Sequence, residues 1–425
     1  MKTTNNSKNN NKVGKKVSAT INSKSNNKTI KKDSKHIEQE RKIETVKKDN
    51  KVVNEKQIRV VRNKQRKIKI MNKQLLWVIL GLFVIIAILI VTTILKKNIK
   101  EDEVTKPSEV EKIENVEEVK EVSKFNIIDT TSKNRPFAII INNYPVAMKA
   151  QTGLNDAYMI YEFPIEGGYS RSVALFKDKN TSQIGTVRSV RQYHPYFALE
   201  NDAILVHWGA NHPGYDAISN VGIDHIDELS NSGPFFRKNP YNLATEHTGY
   251  TSLSKLKKYV ESKKIRSKTD TLPPLNYSNE DIDLSSIKDS KKAKTIELNY
   301  SNSYKLKYTY NSKTKRYERY YSGKKHNDYI SGNVFDTKNI IIAFVKIGKV
   351  KDYKDAAGTN YLDMTITGSG NGYYITNGYA KKITWSKKSK TEKTIYKYDD
   401  GTEISVNDGN TYVNFFNKSK SIKIK

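Results

Sequence analysis

Side chains that could bind an anionic ligand are concentrated in one stretch of the chain, residues 162–252. Three arginines fall within its first thirty residues, and five of the seven histidines lie within 54 residues of one another. Guanidinium groups hold carboxylate or phosphate oxygens through paired hydrogen bonds. We therefore predict an anion-binding cleft here, with the candidate ligand-binding residues Glu162, Glu166, Arg171, Arg188, Arg191, Tyr193, His207, Asn211, His212 and His247.

The spacing of the arginines predicts the element on which they lie and the face that they share. Apolar residues recur at helical intervals over 187–199, so Arg188 and Arg191, at i and i+3, are expected on one helix face. The positive end of the helix dipole would add to their attraction for an anion. The alternative is an internal salt bridge from Arg171 or Arg188 to one of the two glutamates.

The histidines allow a second interpretation, in which these residues catalyse a reaction. His207 follows an apolar strand, where an α/β sheet often opens into a crevice, and with Glu166 it could form the acid/base pair of a hydrolase. The spacing of His207 and His212 matches no familiar metal signature, so we expect no metal. No nucleophile elbow, phosphate-binding loop or dinucleotide fingerprint occurs, and no cofactor is expected.

The elements that must position these residues indicate an α+β chain. Buried strands over 137–141 and 203–208 alternate with helices over 154–161, 213–220 and 253–260. This pattern predicts a mixed α/β sheet domain. Beyond residue 295, short alternating runs separated by Asp-Gly turns predict mostly antiparallel β structure. The predicted domains are 125–262 and 295–425, joined by a polar connection over 263–294.

A membrane anchor is predicted before the globular part. Residues 75–95 are twenty-one consecutive uncharged and largely apolar residues, long enough to span the bilayer core as a single transmembrane helix. Residues 1–73 carry 23 Lys and Arg against 6 Asp and Glu, so this tail is expected to be cytoplasmic and disordered. An acidic spacer, 96–124, follows the helix. The arrangement predicts a single-pass signal-anchor protein with its C-terminal domains outside.

Charge and composition narrow the classes of molecule that the chain is expected to bind. The formal net charge is +30, and about half of it lies beyond the acidic spacer. An exported basic domain attracts anionic partners, which in a Gram-positive cell would be cell-wall polymers; envelope proteins are the other class. The basic tail has almost no interleaved aromatic residues, so no nucleic acid is expected. The chain has no cysteine, which excludes disulfides and a lipid-modified cysteine.

Several of these motifs, in order, resemble the YerB-like family of bacterial cell-envelope proteins. The matching stretches are RPFAIIINN (135–143), GLNDAYMIYEFPIEGGYSR (153–171), IGTVRSVRQY (184–193), VHWGAN (206–211), HTGYT (247–251), YERYYSGKKHND (317–328), ITNGYAKKITWSK (375–387) and DDGTEISVNDGNTYVNF (399–415). The resemblance implies a two-domain envelope protein and supplies no reaction. Many members look like lipoproteins, whereas this chain lacks the cysteine. The family more often has Pro-His-Asn where this chain has Glu246-His247-Thr248.

The leading interpretation is a membrane-anchored extracytoplasmic protein that binds an anionic envelope ligand through an Arg/Glu/His cleft. One alternative is a wall hydrolase that uses Glu166 and His207. Another is a scaffold protein of an envelope or sporulation complex, with the basic tail inside the cell.

Overall fold

A computed structural model of the chain describes residues 125–355 and 358–425. The predicted transmembrane segment, the basic tail and the acidic spacer lie outside the described residues. Within the described ranges, no helix has the length and apolar character needed to cross a bilayer.

The first half of the described chain alternates strands with short helices. Its elements are β1 (Phe137–Asn142), α1 (Pro145–Met148), β2 (Met159–Pro164), β3 (Ser170–Phe176), β4 (Ile184–Gly185), α2 (His194–Leu199), β5 (Ile204–His207), α3 (His212–Val221), β6 (His225–Asp227), β7 (Phe235–Arg237), β8 (Gly249–Thr251) and α4 (Leu253–Ser262). Three 3₁₀ turns are added at Leu154–Asp156, Glu166–Gly168 and Thr245–His247.

The second half is almost entirely β structure, with one 3₁₀ turn at Leu284–Ser286. Its strands are β9 (Asn276–Ser278), β10 (Lys291–Lys292), β11 (Thr295–Asn299), β12 (Lys305–Asn311), β13 (Arg316–Tyr321), β14 (Lys324–Lys325), β15 (Asp336–Thr337), β16 (Asn339–Val345), β17 (Ile347–Lys354), β18 (Asn360–Met364), β19 (Gly368–Thr376), β20 (Tyr379–Lys387), β21 (Ile395–Lys397), β22 (Ser405–Asn407), β23 (Thr411–Asn417) and β24 (Lys423–Ile424).

An eleven-stranded mixed sheet, which we call the main sheet, takes strands from both halves. Its order is β10-β20-β19-β16-β23-β2-β3-β1-β5-β6, with β21 added beside β20. The run FAIIIN of β1 is buried throughout, as expected for a central strand covered on both faces. Strands β16, β23, β2, β1, β5 and β6 run in one direction, so their carboxyl ends share one edge, the carboxyl edge.

Apolar side chains cover both faces of the main sheet. Alternate residues of β1 belong to two separate clusters, with Ala138 and Ile140 on one face and Ile139 and Ile141 on the other. Helices α2 and α3 pack on the first face, and α4 packs on the second with the antiparallel sheet β14-β13-β12-β11-β24, in which β15 also pairs with β13. Smaller sheets are β4-β8-β7, β17-β18 and β22-β9.

The predicted fold class, a mixed α/β sheet followed by mostly antiparallel β structure, is confirmed for the described residues. The helix predicted over 154–161 is wrong. Only Leu154–Asp156 forms a 3₁₀ turn, and β2 begins at Met159. The reason is tertiary: residues of β2 pair with β3 on one side and β23 on the other, and two ladders outweigh a weak local helical preference.

Two buried ion pairs join the halves across the main sheet. The Arg319 guanidinium donates to both oxygens of Glu162, at 2.9 and 3.1 Å, and both side chains are at most 2% exposed. Ser170 and Tyr304 donate to the same carboxylate. On the other face Lys387 Nζ lies 2.6 Å from Glu200, and neither side chain is exposed. Breaking one partner of such a pair leaves a buried, uncompensated charge.

We expect Arg319→Leu to lower the free energy of unfolding by about 3–5 kcal/mol, because Glu162 then stays buried without its cation. Urea denaturation followed by tryptophan fluorescence measures the loss. The double variant Glu162→Leu/Arg319→Leu should be more stable than the single variant, since no charge is stranded. Lys133→Leu, which removes an exposed ion pair to Asp270, should cause no measurable loss. A single variant as stable as the wild type would contradict the assignment.

Candidate functional site

The candidate site lies where strands of the first half end at the carboxyl edge. Asn142 closes β1, Pro164 closes β2 and His207 closes β5, while Arg171 stands at the start of β3. In the register of the main sheet, Arg171 lies between Phe163 of β2 and Asn142 of β1. Crevices outside the carboxyl ends of strands are the usual ligand sites of open α/β sheets.

A segment inserted between β1 and β5, residues 186–190, carries the next arginine to this edge. Pairing of β1 with β5 stops at Ile139. Beyond it, the Arg188 N–H donates to the Ile140 carbonyl at 2.9 Å. On the segment's other side, the Trp208 N–H donates to the Arg188 carbonyl at 3.1 Å. The segment therefore fills a split in the main sheet.

The helix predicted over 187–199 is correspondingly wrong in its first half, since α2 begins only at His194. Arg188 and Arg191 do not share a helix face. Backbone groups of the inserted segment are bonded to β1 and to the residues after β5, so they are unavailable for helical hydrogen bonds. The arginines still meet, but through the split in the sheet rather than through helical spacing.

Arg171 is a buried cation that contacts no carboxylate of the described residues. Within those residues its side chain donates only to the carbonyl and hydroxyl oxygens of Ser189, at 2.8 and 3.0 Å. Its buried Nε has no partner among the described residues. Burial lowers the pKa of Arg171 well below its usual value, and the charges of Arg191 and Arg188 lower it further. The three arginines therefore act on one another electrostatically.

Arg191 is the arginine that is neutralised internally. Its Nε lies 2.7 Å from Glu166 Oε2, and the other oxygen of Glu166 accepts the Leu362 N–H of β18 at 3.0 Å. The internal salt bridge considered above thus forms with Arg191, and not with Arg171 or Arg188. Glu166 is fully engaged and balances one of the three positive charges.

Arg188 is half-buried, and its side chain makes no hydrogen bond or ion pair with any part of the chain that the structure describes. Burial lowers its pKa; the exposed carboxylate of Glu246 acts in the opposite direction, and Arg191 adds repulsion. An anion placed at Arg188 would receive a hydrogen-bond donor that nothing else uses. This unused guanidinium is the chemical feature that distinguishes the site.

The charge of Arg188 acts on His247, whose ring stacks on a tyrosine. Asn142 Nδ2 donates to Nδ1 of His247 at 3.0 Å, and the ring of His247 stacks on Tyr144 with centroids 5.3 Å apart. Burial lowers the pKa of His247, and the charge of Arg188 also lowers it, while Glu246 opposes them. Tyr144 is 40% exposed and contacts Tyr169 edge to face at 4.7 Å. We call Arg171, Arg188, Arg191, Glu166, His247 and Tyr144 the arginine site.

The remaining predicted residues lie outside the arginine site. Glu162 is committed to the buried pair with Arg319. The hydroxyl of Tyr193 donates to the Pro164 carbonyl at 2.5 Å. Asn211 caps α3, accepting the Gly214 N–H at 2.9 Å. His212 is exposed beside Asp216 on the same helix.

His207 is buried at the end of β5 and both ring nitrogens are engaged. Nδ1 lies 2.9 Å from the Gly209 carbonyl, and Nε2 lies 3.0 Å from Nδ1 of His225. Burial lowers the pKa of His207 to about 4, although Asp227 acts in the opposite direction. Within residues 125–355 and 358–425 no group of His, Asp and Glu side chains could hold a metal ion.

Sequence reasoning missed Tyr144, Tyr169 and Ser189. Tyr144 had a recoverable signal, because an aromatic residue directly after a buried strand and before Pro145 must lie near the strand's carboxyl end. Ser189 had none. Its role depends on the inserted segment, which local periodicity does not reveal.

Comparisons with known proteins agree with this architecture. Two family models of unknown function match the chain, the DUF3048 N-terminal domain over residues 125–266 and the DUF3048 C-terminal domain over residues 296–413. A relative from Bacillus subtilis (strain 168), named "Putative lipoprotein YerB", is 25% identical over 286 residues, which are 67% of this chain and 81% of that protein.

The crystal structure of the YerB protein from Bacillus subtilis has a similar fold. It superimposes with a TM-score of 0.59 at 23% identity, and the match covers 71% of this chain and 99% of that chain. Both halves of the main sheet are therefore features shared with a solved protein. The chain belongs to the YerB-like family.

Proposed function

We propose that the chain is a membrane-anchored envelope protein whose folded part lies outside the membrane and binds an anionic group of a cell-wall polymer at the arginine site. The observation that carries the proposal is the charge imbalance there. Three guanidinium groups act on one another, and one carboxylate, Glu166, is in hydrogen-bond contact with one of them. A carboxylate or phosphate bound at Arg188 would offset that imbalance.

The envelope location is supported by the relative named as a lipoprotein and by the apolar segment 75–95. Lipid attachment and a transmembrane helix are alternative ways of tethering a domain to the same membrane surface. This chain has no cysteine to modify, so the apolar segment takes the role of the anchor, with the basic tail in the cytoplasm.

The first described residues are bonded close to the start of β23. Asn126 and Ile127 donate backbone N–H groups to Asp408, just before β23 begins at Thr411. The chain therefore enters the fold at the amino edge of the main sheet, opposite the arginine site. A seven-residue strand such as β23 separates the two edges by roughly 23 Å. The arginine site and the first described residues therefore lie at opposite edges of the main sheet.

The hydrolase alternative receives no specific support. Glu166 and His207 make no hydrogen bond to each other, and each is occupied by other groups. A general base must reach its substrate, and His207 has no exposed surface. We assign His207 a structural role at the end of β5.

Arg188→Gln should weaken binding of the purified full-length protein to insoluble wall fragments by about tenfold or more, since one charged hydrogen-bonding partner of the anion is lost. Co-sedimentation at physiological salt gives the affinity. Arg266→Gln is the matched control, because it removes the same charge at the amino edge. If both variants lost affinity equally, the effect would come from net charge and not from the arginine site. Wild-type affinity in Arg188→Gln would refute the assignment of the binding site to Arg188.

Acid should destabilise the fold through His207. The group is neutral when folded and has a pKa of about 4, against about 6.5 when unfolded, so the unfolded chain binds more protons between those values. Stability is complete above pH 6.5 and falls below it. In urea denaturation, the loss between pH 7 and pH 5 should be about 2 kcal/mol smaller in His207→Gln than in the wild type. The exposed His212→Gln should keep the wild-type dependence.

A further inference from the structure

A cavity lies at the carboxyl edge of the second half, and none of the site residues predicted from the sequence lines it. It has a volume of about 570 Å³, within the range of small-molecule sites. It lies where the parallel strands β16 and β23 end. We infer that this cavity, the lysine groove, binds a short stretch of an anionic carbohydrate, meaning a sugar or polyol chain that carries phosphate or carboxylate groups. Its lining includes Lys346, Lys418, Lys420, Asn371, Tyr373 and Trp385.

Positive charge in the lysine groove is uncompensated. The Lys418 N–H donates to the Val345 carbonyl at 2.9 Å, which brings Lys418 beside the exposed Lys346. Neither ammonium group has an ion-pair partner among the described residues. Lys420 also lines the groove, and its Nζ donates to the Tyr300 carbonyl. Lysines that converge on a concave surface concentrate a positive field and attract anions.

The wall formed by β19 explains why a neutral part of the ligand would also be recognised. Gly370 is required there, because a Cβ atom would lie 2.6 Å from Trp385 Nε1 and 2.8 Å from the Phe344 carbonyl. The indole N–H instead donates to that carbonyl at 3.0 Å. Asn371, the next residue of the strand, lines the groove, and its amide makes no side-chain hydrogen bond with the described residues.

Amide and hydroxyl groups suit a hydroxyl-rich ligand better than a lipid chain. Ser369, Thr365 and Ser421 line the groove beside Asn371. Their side chains, too, make no hydrogen bonds within residues 125–355 and 358–425. Tyr373 supplies an aromatic surface, and Lys291 lies 4.6 Å from its ring centroid. A few convergent polar groups beside aromatic surface are the usual means of orienting a bound molecule.

A second cavity has one lining residue in common with the lysine groove and one in common with the arginine site. Its volume is about 250 Å³; it shares Lys420 with the groove, and its lining includes Glu166. Glu166 in turn holds Arg191. This continuity favours a chain-like ligand over an isolated ion. The lysine groove does not require the arginine site, because none of the three arginines lines it.

The test measures binding of a fluorescently labelled oligo(glycerol phosphate) to the purified full-length protein by fluorescence polarisation. Lys346→Gln/Lys418→Gln should weaken binding by about tenfold, with a smaller difference at high salt. The control Lys258→Gln/Lys263→Gln removes two exposed charges near α4 and should bind as the wild type does. Adding Lys346→Gln/Lys418→Gln to the Arg188→Gln protein should lower its remaining affinity by the same factor as in the wild type, because the lysine groove does not include the arginines. This loss is expected whether or not Arg188→Gln itself weakens binding, which separates the inference from the proposed function.

Asn371→Ala distinguishes carbohydrate recognition from attraction to charge alone. It should weaken binding of the oligo(glycerol phosphate) several-fold and leave inorganic polyphosphate binding unchanged. Wild-type affinity in the double lysine variant would overturn the inference. So would an Asn371→Ala variant with no effect on either probe, which would mark the groove as a charge patch only. Preferential binding of anionic lipid vesicles, abolished by the double lysine substitution, would assign the groove to a membrane and would equally overturn it.

Discussion

The parallel pairing of β2 with β23 is the constraint on which the rest of the architecture depends. About 250 residues separate the two strands, yet Met159 lies opposite Thr411 and Glu162 opposite Asn414. Because the strands run in the same direction, the carboxyl ends of both halves come to a single edge. The arginine site and the lysine groove share this edge for that reason. The buried pair of Glu162 and Arg319 penalises separation of the halves, since either charge would be stranded.

At the carboxyl edge, guanidinium groups outnumber the carboxylates that contact them. The free energy needed to bury these unpaired positive charges indicates that something else offsets it. A buried guanidinium without a carboxylate is destabilising, yet among the described residues only Ser189 accepts hydrogen bonds from Arg171. Natural cores rarely keep such a group unless the surroundings or a ligand offset the cost. Arg191 is already offset by Glu166, so in the proposed complex Arg171 and Arg188 would act on the incoming anion. Arg171 is too buried to be a principal contact, so it would add to the electrostatic field while Arg188 would supply the hydrogen bonds.

The sequence was informative where local pattern and tertiary structure agree. Buried runs such as FAIIIN predicted central strands, and the change to alternating residues beyond 295 predicted antiparallel β structure. It failed over 187–193, where helical periodicity coincides with an extended segment that fills a split in the sheet. The density of polar motifs over 162–252 did single out the segment that carries the three arginines, although the helical spacing assigned to Arg188 and Arg191 was wrong. The lysine groove was not predicted, because Lys346 and Lys418 directly follow two strands that are far apart in sequence and that only the parallel ladder makes adjacent.

The arginine site presents a guanidinium group, whereas the lysine groove presents ammonium groups. In the proposed complex this difference would let the first site orient a polymer and the second retain it. Arg188 is planar and partly desolvated, which suits oriented recognition of one carboxylate or phosphate. Lys346 and Lys418 are exposed and carry hydrated point charges, which can attract a ligand in many positions. Their attraction for an anion weakens steeply as the salt concentration rises. A chain lying along the edge would be oriented by the arginine and retained by the lysines. Linking two weak contacts on one ligand raises the overall affinity without any new contact, so loss of either site should affect long polymers more than short ones.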